Sequence, residues 1–536
     1  MDLTTIAKKR KDRAMNKIKC NKHNLTFFSL VLLFAILPIL LIGAELKNDN
    51  ISNTNQPFPF IKKYSTKFSS RTNRFDVLVN STIYDSLSSN LMQYVSDLEM
   101  QSYNVTMYCC SCANISADSL RSFLKHEYLQ DTIKGAFLVG DFPSTLFQSP
   151  FATYTITYTT DTYFKDLNGT WLDTLRDYYG TLIPGSDSIL DTQIAGTGDK
   201  QCEIFLGRLP ASNLSNGNDI YGNEIQRLRS YFGRNHAYRT GNLARKDTAL
   251  LYIDDDWVAY ESTSAKAVYQ RVFLNVVAIN NINATTAQDY KQNRLPYGYE
   301  MIWVGVHSYP QGHMFKENNG TQFGYVRSNE IPNINPQALF YLVVGCDAGE
   351  YTDTNCIVLH YVLSTNKGLA AISYTCLSGG EYYYPSIQTA PFFSALVSGK
   401  TFGEALKAHI DFYVMRSYSY NVEAYATVYL GDPTLKLRLP QGIEEISSQI
   451  KQTNSFNIYP SIARSVLHIK RNYNAAKDFS LKIFNSNGQL QREYNLTSSK
   501  NELIVDIRDL VPGIYFIQAT SIKADNRSEV KKVIKI

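Results

Sequence analysis

The sequence predicts an α/β fold built from two consecutive α/β units and followed by a small all-β domain. Apolar runs rich in β-branched and aromatic residues recur with Gly at or next to their ends, as at 301–306 and 338–345, which is typical of strands buried on both faces. These runs alternate with amphipathic segments of helical length, the pattern of α/β architecture. After residue 440, short alternating runs are separated by Asn-Gly and Pro-Gly turns, which favours a β-sandwich. A chain of 536 residues is too long for a single domain.

The N-terminal region carries an export signal. Residues 1–44 combine a basic stretch with the apolar run 25–42, which is short for a membrane span and long for the apolar part of a signal peptide. A signal peptide and an uncleaved membrane anchor both fit, and either takes the remaining chain out of the cytoplasm. Residues 45–72 are polar and rich in Asn and Ser, so we expect a linker there.

The two α/β units are predicted at 73–240 and 241–440. Strands of the first unit are expected at 75–79, 105–108, 135–141 and 203–210, with helices at 81–100, 116–128 and 223–232. Strands of the second unit are expected at 249–253, 276–279, 301–306, 338–345 and 368–374, with a helix at 264–273. Residues 441–455 form a second polar linker, and the β-sandwich covers 456–536.

Charge and cysteine content exclude two classes of function. The 53 basic and 48 acidic residues are nearly balanced, which argues against a nucleic-acid-binding surface. Cys109, Cys110 and Cys112 have no matching His or Cys cluster at zinc-finger spacing, so we expect structural thiols or one disulfide rather than a metal site.

A thiol and an imidazole follow two of the predicted buried strands. His307 ends the run 301–306, and Cys346 ends the run 338–345. Ligands of open α/β sheets sit at the carboxyl ends of the strands, so these side chains are candidates for one site. A Cys thiol has an ordinary pKa of about 8.5 and needs a neighbouring base or cation to act as a nucleophile at neutral pH. The sequence therefore predicts a Cys–His pair.

Several motifs in the same order resemble the gingipain-type cysteine peptidases of family C25, which share the caspase-like fold. The resemblance covers roughly residues 75–439 and rests on the segments FLVGD at 137–141, FLGRLP at 205–210, CDAGEY at 346–351 and LGDPTL at 430–435. It implies a caspase-like catalytic region and a cysteine endopeptidase that hydrolyses peptide bonds of protein or peptide substrates. The reaction that the resemblance implies requires no cofactor.

A second resemblance concerns the last domain. The segments NIYP at 457–460, FNSNG at 484–488 and LVPGIY at 510–515 resemble the C-terminal sorting domain of type IX secretion cargo in Bacteroidota. It implies export through the inner membrane, contact with the type IX machinery and a secreted or outer-surface location. It also favours a cleaved signal peptide at the N terminus.

The resemblance to family C25 assigns roles to residues of this chain. It implies that Cys346 is the nucleophile, that His307 is the base, and that Asp256, an acid soon after the strand that opens the second unit, orients His307. A solvated or metal-binding acidic turn is the other interpretation of Asp256 with its acidic neighbours at 254 and 255. Backbone N–H groups of Ser308 and Cys346 would form the oxyanion hole.

Ser308 departs from the family pattern, which has Gly after the catalytic His. A positive φ would be strained at Ser. His313 is therefore a rival base, and a catalytically inactive caspase-like protein for surface binding or assembly is the alternative function.

Two further sites are left open by the sequence. The loop with Asp161, Asp166 and Asn168 carries the oxygen ligands that a structural Ca²⁺ takes, although a plain polar turn also fits. Asp432 is expected to cap or turn the chain. Glu261 is the nearest candidate for an acidic group in the substrate pocket, and it does not establish a basic P1 preference.

Overall fold

The structure is a computed structural model. It describes residues 59–66, 73–151, 154–177, 180–214, 220–256, 263–281, 283–377, 390–415, 421–438, 456–460, 462–471, 479–485, 489–496, 502–521 and 528–535. The predicted signal peptide or anchor at 1–44, the linker at 441–455 and Glu261 lie outside these residues. None of the described helices is long and apolar enough to cross a membrane.

An eleven-stranded sheet forms the centre of the α/β region. Its strands, in chain order, are β1 Phe60–Ser65, β2 Arg74–Asn80, β3 Asn104–Cys110, β4 Gly135–Val139, β5 Phe205–Leu209, β6 Thr248–Ile253, β7 Asn275–Ile279, β8 Met301–Gly305, β9 Phe340–Val344, β10 Ala370–Tyr374 and β11 Thr427–Gly431. Their spatial order is β1-β3-β2-β4-β5-β11-β10-β9-β8-β6-β7.

The sheet is parallel except at two places. β1 runs antiparallel to β3, and β11 runs antiparallel to β10. β5 and β11 pair in parallel through Arg208 and Leu430, so strands of the two predicted units form one continuous sheet.

β1 corrects the prediction of a linker throughout 45–72. This edge strand pairs with β3 from Phe60 opposite Cys110 to Ser65 opposite Thr106. Only Phe60 is buried among its residues, and Ile61 is 63% exposed. An edge strand with one short contact to the core carries too few apolar residues to be distinguished from a linker.

Helices cover the sheet, and side chains cap the first turns of several of them. The α-helices are Ser81–Met100, Ala117–Asp131, Thr162–Lys165, Glu224–Arg239, Thr263–Tyr269, Ala287–Asp289, Ile331–Ile334, Ile357–Leu363, Ala390–Val397, Phe402–Val414 and Asn421–Ala426. Short 3₁₀ turns lie at Cys112–Asn114, Leu295–Tyr297 and Ser328–Glu330, and a π-helical segment lies at Tyr290–Arg294. Asn223 and Thr401 begin their helices with reciprocal side-chain and backbone hydrogen bonds that satisfy the first N–H groups.

Both faces of the sheet are buried. Alternate residues of the central strands enter two apolar clusters: Ile302 and Val304 of β8 face one, whereas Met301 and Trp303 face the other. The continuous apolar runs in the sequence follow from this two-sided burial.

Smaller strands complete the α/β region. A three-stranded antiparallel sheet consists of His307–Tyr309, Gly312–Glu317 and Gln322–Arg327. Two-stranded pairs are Leu146–Phe151 with Tyr154–Thr159, Thr170–Leu172 with Thr192–Ile194, and Leu175–Arg176 with Leu182–Ile183.

The C-terminal region is β-rich, as predicted. One sheet has three strands, Phe456–Tyr459, Val466–Arg471 and Glu502–Asp506. The other has five, Ile462–Ala463, Phe479–Asn485, Leu490–Leu496, Gly513–Ser521 and Ser528–Lys535. Side chains of both sheets, including Ile469, Val505, Ile483 and Ile517, share one apolar core. This is the packing of a small β-sandwich.

Candidate active site

Three neighbouring parallel strands deliver the predicted catalytic residues to one edge of the sheet. β6, β8 and β9 are adjacent, and Ile253, Gly305 and Val344 are in register at their carboxyl ends. Asp256 follows β6, His307 follows β8, and Cys346 follows β9. The structure therefore places all three candidates at the edge where an open α/β sheet binds its ligands.

Asp256 contacts His307 directly. Asp256 Oδ2 forms a hydrogen bond with His307 Nε2, and Asp256 Oδ1 accepts one from Lys316 Nζ at 2.5 Å. The side chains of His307 and Asp256 are 32% and 37% exposed. Partial burial opposes ionisation of Asp256, but the hydrogen bonds from Lys316 and His307 outweigh it and lower the pKa of the carboxyl group. Asp256 is thus held as a carboxylate beside the imidazole.

Cys346 sits in a sharp turn after β9. The next residue, Asp347, has a φ of 53°, which reverses the chain. The Asp347 N–H donates to the Cys376 carbonyl at 2.8 Å, and the Gly349 N–H donates to the Tyr374 carbonyl at 2.8 Å. These bonds fix the turn to the end of β10, and Cys346 itself is half-buried.

Ser308 does not adopt the positive φ that would strain it. It lies in the strand His307–Tyr309 and is not among the described non-glycine residues with positive φ. Its Oγ donates to the Val306 carbonyl at 3.1 Å and bonds His313 Nδ1 at 2.8 Å. The backbone at Ser308 therefore has ordinary strand geometry. Its side chain hydrogen-bonds to Val306 and His313, which are close to it in the chain.

His313 is buried, unlike His307. It is fully shielded from solvent, and its Nδ1 is bonded to Ser308. The Tyr361 ring stacks on it at 5.8 Å between centroids. Burial lowers the pKa of His313 to about 3, so the ring is neutral. The ring of His313 is therefore neutral and enclosed, in contrast to that of His307.

Asp254 and Asp255, the acidic neighbours of Asp256, lie in different surroundings from it. Asp254 is buried and accepts a hydrogen bond from the Lys316 N–H at 3.1 Å. Burial raises the pKa of Asp254 to about 7, and burial also raises the pKa of Asp255. The turn is therefore neither fully solvated nor uniformly ionised, and Asp256 alone of the three bonds the imidazole.

The loop for which the sequence left calcium or a plain polar turn open bonds protein donors through its side-chain oxygens. Asp161 Oδ1 accepts from Arg208 Nε at 2.7 Å in a buried ion pair. Asp166 Oδ1 accepts from the Gly169 N–H at 2.7 Å, and Asn168 Oδ1 accepts a backbone N–H at 3.0 Å. Each of the three side chains therefore accepts a hydrogen bond from its own protein donor.

A different group of carboxylates lies close together among the described residues. Oxygens of Asp173, Asp187 and Asp191 lie within 4.8 Å of one another. Asp173 accepts from Ser186 Oγ at 2.7 Å and from two backbone N–H groups, and Asp191 Oδ2 accepts from the Thr174 N–H at 2.8 Å. Protein donors therefore already occupy much of this cluster.

The sequence did not reveal Lys316 or Cys376 as neighbours of the site. Lys316 reaches Asp256 from the strand Gly312–Glu317, and only the pairing of that strand with His307–Tyr309 brings it there. Cys376 left a signal in the sequence, because it follows β10 by the same two residues by which Cys346 follows β9.

Comparisons with known proteins agree with this architecture. The sequence profile of peptidase family C25 matches residues 101–438, and that of a secretion system C-terminal sorting domain matches residues 457–536. No curated protein matches the chain.

Two solved structures resemble the chain at low identity. The Arg-specific cysteine proteinase gingipain R aligns over 88% of this chain and 100% of its own, with 14% identity and a TM-score of 0.47. Dimeric latent PorU from Porphyromonas gingivalis aligns over 86% of this chain and 42% of its own, with 12% identity and a TM-score of 0.28.

The two profile matches lie on the two regions that the structure separates by fold, the sheet with its helices and the β-rich region after it. A type IX sorting domain directs its cargo to the cell surface or the extracellular space of Bacteroidota. The chain therefore belongs to peptidase family C25 and is a secreted cysteine peptidase with a C-terminal type IX sorting domain.

Proposed function

We propose that the chain is an endopeptidase in which Cys346 attacks the peptide carbonyl, His307 transfers the proton and Asp256 orients His307. The observation that carries this proposal is the placement of all three residues after neighbouring parallel strands, with Asp256 hydrogen-bonded to the imidazole. A carboxylate beside the ring fixes its orientation and stabilises the imidazolium that forms when it takes a proton.

The chemistry follows in two stages. His307 takes the proton of the Cys346 thiol, and the thiolate adds to the carbonyl carbon to give a tetrahedral oxyanion. Backbone N–H groups of Ser308 and Cys346, at the ends of adjacent strands, are the proposed oxyanion donors. The C–N bond then breaks as His307 gives its proton to the amine, which leaves an acyl-enzyme. Water, deprotonated by His307, hydrolyses this thioester and restores the thiol.

His307 is a better base than His313 for reasons of access and charge. His307 is about one-third exposed and carries a carboxylate partner, whereas His313 is enclosed and neutral. The partner of His307 is Asp256, which bonds the Nε2 atom, so the proton exchanged with Cys346 passes through Nδ1.

The test compares the secreted wild-type chain with Cys346→Ala on mixed fluorogenic peptides and on an unfolded protein substrate. We expect internal cleavage products from the wild type and a loss of at least about 10³-fold in the variant, since removal of a catalytic nucleophile has effects of this order. Cys112→Ser is the matched control, because Cys112 is also a half-buried thiol but begins the 3₁₀ turn after β3.

Each outcome decides between specific alternatives. Equal cleavage by Cys346→Ala would exclude Cys346 as the nucleophile, and release of terminal residues alone would exclude an endopeptidase. A wild-type protein that cleaves nothing under reducing conditions would instead favour the inactive caspase-like protein for surface binding or assembly.

A further inference from the structure

Cys376 follows β10 by two residues, as Cys346 follows the neighbouring strand β9. β9 and β10 are adjacent and parallel, with Leu342 opposite Ile372. The strand pairing ends before these residues and the chain reverses at Asp347, so the hydrogen bond between Asp347 and Cys376 is what brings Cys346 beside Cys376. Both residues are present as thiols.

Backbone hydrogen bonds hold the two segments at strand spacing beyond the end of the sheet. The N–H of Asp347 donates to the carbonyl of Cys376 itself at 2.8 Å. Neighbouring strands lie about 4.8 Å apart. Disulfides join residues whose Cα atoms are about 4.4–6.8 Å apart, so this spacing suits a disulfide between Cys346 and Cys376.

The surroundings of Cys376 keep it out of peptide hydrolysis. It is only 2% exposed, and its Sγ donates to the Leu377 carbonyl at 3.2 Å. Burial raises the pKa of Cys376 well above its usual range, and nearby Glu423, Asp347 and Cys346 raise it further. Cys376 is therefore a protonated thiol.

We propose that Cys376 is a resolving cysteine, which forms a reversible disulfide with Cys346 when the nucleophile is oxidised. This inference rests on the proposed function, because it takes Cys346 as the thiolate that His307 activates. A thiolate that is partly open to solvent is the form that oxidants attack first.

The chemistry requires a hydroperoxide as oxidant and proceeds in two steps. The Cys346 thiolate attacks one oxygen of hydrogen peroxide, which forms a sulfenic acid and releases hydroxide. The Cys376 sulfur then attacks the sulfenic sulfur, the S–O bond breaks, and the hydroxyl leaves as water with the thiol proton of Cys376. Reduction by an external dithiol returns both thiols.

The disulfide would make the enzyme latent rather than damaged in an oxidising exterior. A sulfenic acid that is not captured proceeds to sulfinic acid, which an ordinary dithiol does not reduce. Capture by Cys376 therefore preserves a nucleophile that a reductant can restore.

The experiment treats the full secreted chain with excess hydrogen peroxide, then divides it for mass spectrometry and for activity. Alkylation and digestion without reductant should yield a peptide pair joined through Cys346 and Cys376. After dithiothreitol, we expect the wild type to recover most of its untreated activity. Cys376→Ser should recover at least about 10-fold less of its own untreated activity and carry sulfinic acid at Cys346.

Cys356→Ser is the matched control. Cys356 is another buried thiol, at the start of the helix Ile357–Leu363, and its Sγ donates to the Ala348 carbonyl at 3.2 Å. This variant should recover like the wild type. Equal recovery in Cys376→Ser, or sulfinic acid at Cys346 in the wild type without the joined peptide pair, would overturn the proposal. Peptide mapping does not need activity, so an inactive protein that still forms the disulfide would count against the proposed hydrolysis only.

Discussion

Asp256 accepts hydrogen bonds on both carboxylate oxygens, and only one of the two donors is the proposed base. Lys316 holds the other oxygen at 2.5 Å and so fixes the plane of the carboxylate against His307. Lys316 touches no reacting atom in the proposed mechanism. It is a positioning residue, and its effect should appear in the pH dependence rather than in the chemistry itself.

Replacing Lys316 by Met should weaken catalysis modestly and shift its acid limit. A half-exposed ion pair contributes about 0.2–1 kcal/mol, which corresponds to a loss of about 1.5-fold to 5-fold in kcat/KM. The carboxylate of Asp256 is present above its folded pKa, which Lys316 lowers. Without Lys316 that pKa rises, so the orientation of His307 fails at a higher pH. We expect the acid limb of the pH profile of kcat/KM to move upward.

The control for this prediction is Lys291→Met. Lys291 bonds Glu330 at 2.9 Å and has an exposure like that of Lys316. Neither Lys291 nor Glu330 forms an ion pair with Asp256 or His307. Its profile should match the wild type. An unchanged acid limb in Lys316→Met would show that the ion pair does not position Asp256.

At the scale of elements, the site depends on how closely the ends of β8 and β9 approach. A Cβ at Gly345 would lie 2.1 Å from Ser308 Oγ and 2.7 Å from the Val306 carbonyl oxygen. Gly345 immediately precedes Cys346, and Ser308 immediately follows His307. The contact between Gly345 and Ser308 therefore sets the spacing of the two segments that carry the nucleophile and the base.

Gly345→Ala should separate these segments and reduce kcat/KM by about 100-fold, since displacements of about 1 Å at a catalytic site have effects of this size. Adding Ser308→Gly removes the closer of the two clashes, so the double variant should regain part of the loss. The Val306 carbonyl remains, which limits the recovery. A double variant no better than Gly345→Ala would place the damage elsewhere in the turn.

The sequence predicted those elements whose burial leaves a continuous apolar pattern. β8 and β9 are buried on both faces, so their apolar runs placed His307 and Cys346 at strand ends, whereas Asp256 came from the resemblance to family C25. β1 escaped prediction because an exposed edge strand has no such run. The contact of Lys316 with Asp256 was not predicted, because it depends on pairing between short antiparallel strands, which residue types alone do not encode.

At the scale of the whole molecule, Asp432 links helices from the first half of the chain to the turn after β11. It is fully buried, as the expected structural role requires, and it forms an ion pair with Arg239. Its carboxylate also accepts from Tyr94 Oη at 2.8 Å, Asn235 Nδ2 at 2.7 Å and Thr434 Oγ1 at 2.6 Å. Burial opposes ionisation, but Arg239, Thr434 and Asn235 outweigh it and lower the pKa of Asp432.

This network should carry a large share of the stability of the α/β region. Asp432→Asn leaves Arg239 buried without its counter-ion, and breaking one partner of a buried pair costs about 3–5 kcal/mol. Asp131→Asn is the control, because its pair with Arg74 at 2.5 Å is partly exposed and should contribute about 0–1 kcal/mol. Urea unfolding of both variants at pH 7, in a Cys346→Ala background that prevents self-cleavage, measures the difference.

The same pair also predicts the pH dependence of stability. The folded pKa of Asp432 lies below the ordinary value of 3.8, so its contribution is complete above pH 3.8 and is lost as the pH falls through the folded pKa. The gap in unfolding free energy between wild type and Asp432→Asn should therefore be constant from pH 7 to about pH 5 and narrow below pH 4. A gap that stays constant at low pH would mean that the carboxylate charge does not stabilise the network, and that the loss in Asp432→Asn comes from packing and neutral hydrogen bonds alone.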